Sequence, residues 1–241
     1  KTRAFDDARY VGDPVNVISI FNDLEVDELV VLDIGAARTR TPASLEILGR
    51  IATEAFIPLA YGGGVETEEQ AQRIISAGFE KIVVNTALVT SPDAVRGMVR
   101  ALGSQAIVGS VDVRLTERGY VVHTAGGTEA AEISLEDWVQ LATDVGVGEI
   151  LVTNIDHEGT RKGIDLDAVR LVSGLAHVPV IAHGGGMELR FMPSNADVQE
   201  GDLLTTSGVD GLYPPGLPVA RIVRVERRAD SAFARIYCAP L

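Results

Sequence analysis

The sequence predicts an α/β chain: an incomplete (β/α)8 TIM-type barrel of about six βα units, followed by a small all-β domain. Three observations point there. First, two segments repeat one another at an offset of 121 or 122 residues: DELVVLDIGAARTRTPASLEILGRIATEAFIPLAYGGG over 27–64 and GEILVTNIDHEGTRKGIDLDAVRLVSGLAHVPVIAHGGG over 148–186. Each copy runs acidic residue, apolar strand, polar turn with Thr-Arg, amphipathic helix, Ile/Val-Pro strand and triple glycine. Solenoid repeats have periods of roughly 20–50 residues, so this longer one signals a duplicated half of a barrel. Second, the short apolar runs alternate with amphipathic stretches and are near-continuous in hydrophobicity, as in parallel strands covered on both faces. Third, that rhythm stops at Gly186.

In chain order, strands are expected at 29–33, 57–61, 81–85, 106–112, 149–154 and 178–182, with a hairpin-like insertion at 113–125. Helices fit 13–24, 42–55, 67–77, 92–102, 134–145 and 165–175. Asp13-Pro14, Thr41-Pro42 and Ser91-Pro92 each supply a capping side chain ahead of a first-turn proline. From Met187 onward the helical period vanishes, and Asp-Gly, Pro-Pro-Gly and Leu-Pro turns separate alternating strands at 219–226 and 232–238. That stretch carries 6 basic and 7 acidic residues, so the acidity of the chain lies almost wholly before it. The boundary is therefore placed between two domains, 1–186 and 187–241.

Composition narrows the function. With 46% hydrophobic residues the chain is no disordered segment, and a net charge of −13 argues against nucleic acid or an anionic membrane as partner. Phosphorylated ligands remain open, because backbone N–H groups and helix N-termini bind anions without net positive charge. A single cysteine, Cys238, forbids an internal disulfide. No apolar run approaches ~18 residues and no signal-peptide pattern is present, so a cytoplasmic location without a membrane segment is expected. The opening at Lys1, in a polar stretch without methionine, hints at something missing upstream.

Asp33, Asn85, Asp112, Asn154, Asp156 and Glu158 fall at the carboxyl ends of proposed strands, the end that carries the active site in a (β/α)8 barrel. The competing explanation is that Asp and Asn there cap helices or make turns. Asp112 is the sharpest case, since no helix start adjoins it. Gly62–Gly64 and Gly184–Gly186 occupy duplicated positions and suggest two anion sites, with Asn85 and Thr86 adding donors to the first. His123, His157, His177 and His183 show no metal-ligand spacing, so no metal and no cofactor is expected; His183 adjoins the second glycine turn. Glu28, Lys81 and Glu149 start strands, where ion pairs ordinarily serve stability. Trp138 reads as helix packing.

In the order GDPV, DELVVLDI, YGGGV, VVNTALV, GSQAIV, SVDV, GEILVTNIDHEGT and VIAHGG, residues 1–186 resemble the cyclase subunit of imidazole glycerol phosphate synthase. The opening KTRAF…RYVGDPVN…FND is similar to paralogues from bacterial surface-sugar clusters, which act with an amidotransferase. The resemblance implies a barrel with a phosphate site in each half that makes imidazole glycerol phosphate and AICAR in histidine biosynthesis. It also implies a bis-phosphorylated substrate and a glutamine amidotransferase (glutaminase) partner. Matched by motif, Asp112 becomes the catalytic general acid. The substrate and phosphate contacts become Lys1, Gly63, Gly64, Asn85, Thr86, Asp156, Glu158, Gly159, His183, Gly184 and Gly185. Glu28, Lys81 and Glu149 match three of four residues of an ammonia gate at the barrel bottom. The sequence departs from the pattern at Thr2 (Gly in the family), Glu158 (Asp) and His183 (Ser). The family's first strand, with its catalytic Asp, falls ahead of Lys1, and its last βα unit is not found after Gly186; activity is accordingly expected to be impaired.

Residues 187–241, through the run VQEGDLLTTSGVDGLYPPGLPVARIVRVE, instead resemble the C-terminal β domain of the rod-shape-determining protein MreC. The alternative function is thus a non-enzymatic cell-shape scaffold fragment, or a chimera formed by artificial fusion of the two parts.

Overall fold

A computed structural model describes residues 5, 14–23, 26–39, 41–160, 163–185, 187–193, 197–205, 218–227 and 233–240. Its first part alternates helices and strands: α1 (Pro14–Asp23), β1 (Leu29–Leu32), α2 (Ile34–Thr39), α3 (Leu45–Glu54), β2 (Leu59–Gly62), α4 (Glu68–Ser76), β3 (Lys81–Val84), α5 (Thr86–Thr90) and α6 (Pro92–Leu102). Then come β4 (Ile107–Thr116), β5 (Gly119–Thr124), β6 (Glu129–Ala130), α7 (Leu135–Val145), β7 (Glu149–Asn154), α8 (Leu166–Leu175) and β8 (Val180–His183). Six of these strands are parallel, in the order β1-β2-β3-β4-β7-β8.

Local chemistry sets the helix limits. Thr67 and Gln70 close a reciprocal capping box at the start of α4, Ser134 accepts from the Asp137 N–H at the start of α7, and left-handed Gly146 ends that helix. The Thr41-Pro42 cap is corrected: α3 begins at Leu45 with Ser44 in the cap position, so the proline lies in the connection instead of the first turn. Short α2 and α5, at the exits of β1 and β3, carry too few residues for a period to show in the sequence.

The parallel sheet curls. One residue from each strand (Val30, Ala60, Val83, Val108, Leu151 and Ile181) meets in a single apolar cluster on the inner face. The alternate residues point outward into the larger core under the helices, where Trp138 is only 1% exposed and serves packing. Lys81 confirms the curl from below: it reaches Glu28 and Glu149, which lie ahead of β1 and at the start of β7, two strands away on either side. A flat sheet would hold such positions about 10 Å from Lys81, given strand spacings of 4.7–4.9 Å.

The hairpin is no insertion after a strand ending at Asp112. β4 runs on to Thr116, and β5 pairs antiparallel with its outer half, opposite the edge taken by β7. β5 therefore sits beside β4 where β3 has ended. Among the described residues, β1 and β8 do not pair with one another.

The remaining strands, β9 (Met187–Pro193), β10 (Leu203–Thr205), β11 (Pro218–Glu226) and β12 (Phe233–Pro240), form their own antiparallel sheet in the order β10-β11-β12-β9. Ile222, Ala234, Ile236 and Cys238 make its small core. The two C-terminal strands match the expected positions; β9 and β10 were not legible, being interrupted by bulges and turns.

Candidate active site

The first glycine turn and the buried carboxyl meet in one pocket. It is lined by Asp33, Gly62, Gly63, Gly64, Asn85, Thr86, Ser110 and Asp112, together with Phe5 and Gly126. Asp112 is 7% exposed on the inner face of β4, two residues beyond Ser110 and four beyond Val108 of the apolar layer. The Asn85 amide donates to Asp112 Oδ2 at 3.1 Å, to the Ser110 carbonyl at 3.1 Å and to the His123 carbonyl at 3.3 Å. Asn85 occupies the cap position of α5 yet makes no side-chain cap bond, so here the capping explanation fails. Thr86 Oγ1 accepts from the Ala125 N–H at 2.9 Å, tying the β5–β6 turn over the pocket.

Burial pushes the Asp112 carboxyl up to about 7, against opposing hydrogen bonds from Thr153 and Ser110. An ionised carboxylate in low dielectric loses hydration that these hydroxyls restore only in part. Such a group holds a proton near neutral pH and can give it away, the property of a general acid. Next to it, burial and then the Arg114 charge hold the His123 imidazole below its ordinary range, and its Nδ1 is buried without a partner.

The backbone of the turn is fixed by contact. Gly64 has φ +63°, and a Cβ there would stand 2.5 Å from the Thr41 carbonyl and 3.0 Å from that of Ala36, so only glycine fits. Gly185, at φ +76°, is pressed in the same way against the carbonyls of Gly163 and His157. His183 and Gly184 lie on the same second turn, where Gly184 packs on Glu158 and Thr153, and the Gly163 N–H donates to the Gly185 carbonyl at 2.9 Å. Gly185 does not line the pocket of Asp112.

Asp156, Glu158 and Gly159 sit in the β7–α8 connection. The Asp156 N–H donates to Asn154 Oδ1, the Glu158 N–H donates to the Asn154 carbonyl, and the Asp156 carboxylate faces Arg114 at 3.5 Å. Asn154 thus makes the turn, as the competing explanation holds, and Asp33 likewise caps α2 through the Ala36 N–H at 2.8 Å. Sequence reasoning missed Asp165, which caps α8 and accepts from the Asn154 amide at 2.6 Å and from the Tyr120 hydroxyl at 2.9 and 3.0 Å. Burial would raise that carboxyl, but the Ala168 N–H, Asn154 and Tyr120 together hold it below the usual range. Ser110 and Thr153 were missed too; their signal was alternation, each standing two residues from an inner-face neighbour.

At the opposite end, the Lys81 ammonium donates to Glu28 at 2.8 Å and to both Glu149 oxygens at 2.9 and 3.0 Å. Burial alone would lower its affinity for the proton, but the two carboxylates reverse this and raise it. Lys1 lies outside the described residues. Among the described residues no group of His, Cys, Asp or Glu side chains could hold a metal ion, and no helix is long and apolar enough to cross a membrane.

Parallel strands, an apolar inner layer and polar groups gathered at the strands' carboxyl ends define a protein of the (β/α)-barrel class. The chain belongs to the histidine biosynthesis protein family, whose model matches residues 1–204. It is 42% identical over 186 residues to a Pseudomonas aeruginosa protein named "Putative imidazole glycerol phosphate synthase subunit hisF2", covering 77% of this chain and 74% of that one. To imidazole glycerol phosphate synthase subunit HisF of Micrococcus luteus it is 40% identical over 194 residues, 78% of this chain and 76% of that one. Residues 168–241 also match the barrel core of rod shape-determining protein MreC, so the two matches overlap over 168–204.

Proposed function

We propose that this chain carries the cyclase machinery of an imidazole glycerol phosphate synthase: ammonia-dependent ring closure with carbon–nitrogen lyase character on a bis-phosphorylated substrate. The observation that carries this is Asp112, a carboxyl buried beside the first glycine turn and pushed up to about 7 by that burial. Asp112 donates the proton. Gly63, Gly64, Asn85 and Thr86 hold one phosphate through backbone N–H groups and a hydroxyl, which suits a pocket whose own charged groups are acidic. Gly184 and Gly185, with Gly159 and His183, hold the other, while Asp156 and Glu158 shape the loop beside it and Lys1 adds a further substrate contact. Glu28, Lys81 and Glu149 gate ammonia delivered from a glutaminase subunit docked on the strand-start face, in the cytoplasm.

The domain division at 186/187 belongs to this reading, supported by the separate sheet and core of β9–β12. The match over 168–241 favours one further reading, in which the MreC-like sheet acts as a cell-shape scaffold element independent of the barrel.

The test is turnover of the full-length protein with ammonium as nitrogen source. Asp112→Asn should cut kcat by about 10²–10⁴, the usual worth of a positioned general acid. A loss below about tenfold, with circular dichroism unchanged, would remove Asp112 from that role.

A further inference from the structure

Asp112, Thr153 and His183 stand side by side on three adjacent strands. Asp112 of β4 registers with Thr153 of β7, and Thr153 registers with His183 of β8. The Thr153 hydroxyl bonds the Asp112 carboxyl on one side and lies 3.0 Å from His183 Nδ1 on the other. Thr153 is 1% exposed, whereas His183, at the second turn, is partly exposed. A hydroxyl has one proton to donate, so it cannot donate to both neighbours at once. Its orientation must depend on the protonation of Asp112.

We infer that His183 is a positioning residue that recharges Asp112 with protons through the Thr153 hydroxyl. The inference rests on Asp112 acting as the proton donor of the proposed ring closure.

The step balances. When Asp112 has lost its proton, the Thr153 O–H points to the carboxylate and Thr153 Oγ1 accepts from the His183 Nδ1–H. In recharging, the Thr153 proton passes to Asp112, the Nδ1 proton passes to Thr153, and Nε2 takes one proton from solvent. An O–H bond forms on Asp112, the Nδ1–H bond breaks, and the imidazole is left neutral as the Nε2–H tautomer. Solvent loses one proton and Asp112 gains one.

Among the described residues, the polar and charged groups facing this row include Asn85 and Ser110 at Asp112, His123 on β5, the Arg114–Asp156 pair, and Glu158, whose backbone packs on Gly184 next to His183. The second glycine turn differs from the first here, since Gly62 ends β2 as His183 ends β8.

The test needs no substrate. Imidazole 15N and carboxyl 13C shifts of His183 and Asp112 are tracked against pH in the full-length protein. Coupling predicts that both nuclei share the same two inflections, and that above them His183 is the Nδ1–H tautomer. Thr153→Val should separate the two titrations and return His183 to Nε2–H, while Thr153→Ser, which keeps the hydroxyl, should restore the shared inflections. Independent single inflections in the wild type, or unchanged coupling in Thr153→Val, would overturn the relay. Loss of turnover in Asp112→Asn bears on the proton donor alone, so the two ideas fail separately.

Discussion

The two glycine turns repeat a backbone but not a site. Gly64 tucks under the carbonyls of Ala36 and Thr41; Gly185 tucks under those of His157 and Gly163. These pairs keep the sequence offset of 121 or 122 residues, and they show that the triple glycines align one residue out of step. The structural equivalents are Gly63–Gly64 and Gly184–Gly185, with Gly62 opposite His183. At Gly62 a Cβ would meet Leu32 Cδ2 at 2.8 Å and Val83 Cβ at 2.9 Å, so the first half keeps its strand end bare of any side chain. The second half instead carries a titratable side chain there. The duplication preserved what sterics require, two carbonyl-backed turns, and let the side chains around them diverge.

Titration should separate the two halves most strongly. The Asp112 carboxyl is held well above its unfolded value, so between about pH 4 and 7 the folded state binds more protons than the unfolded state. Stability should therefore fall as pH rises through that window, by an amount on the order of a few kcal/mol for a shift of this size. Asp112→Asn should flatten that slope and leave the protein more stable than wild type at pH 8, as urea unfolding would show. His183→Asn should leave most of the slope in place, because only one half holds a fully buried acid. A smaller effect comes from the turns: Gly64→Ala and Gly185→Ala should each cost about 1–3 kcal/mol, since both force a left-handed backbone and a carbonyl contact. Unequal costs beyond that range would mean the turns are not equivalent. Smallest is Lys81→Met, which strands two half-buried carboxylates at the strand-start face and should cost about 1 kcal/mol, more at low salt than at high.

The six parallel strands and most helices were legible because apolar runs of four to six residues and capped amphipathic stretches leave strong periodic signals. Asp112 was legible as an acid closing an apolar run, and the Glu28–Lys81–Glu149 cluster only through resemblance, since charges at strand starts look alike whatever they do. The extension of β4 past Asp112 was hidden because polar Arg114 and Thr116, on the same face of the strand as Asp112, look like the start of an ordinary hairpin. Thr153 and Ser110 were hidden for a different reason. A single hydroxyl inside an apolar strand carries no signal until a neighbouring strand supplies its partner. Asp165 reads only as the start of the helix at 165–175, and its bonds to Tyr120 and Asn154 arise from the pairing of β4 with β5 and β7.

The account turns on the glycine turns being anion sites, and inorganic phosphate tests that most directly. Backbone amide shifts of the full-length protein, titrated with phosphate at constant ionic strength, should move at Gly63, Gly64, Asn85 and Thr86 in the millimolar range. Those of Gly184 and Gly185 should move at higher concentration, because the β5–β6 turn adds the Ala125–Thr86 bond and Gly126 to the first site. No movement from Gly63 to Thr86 at millimolar phosphate would contradict the account.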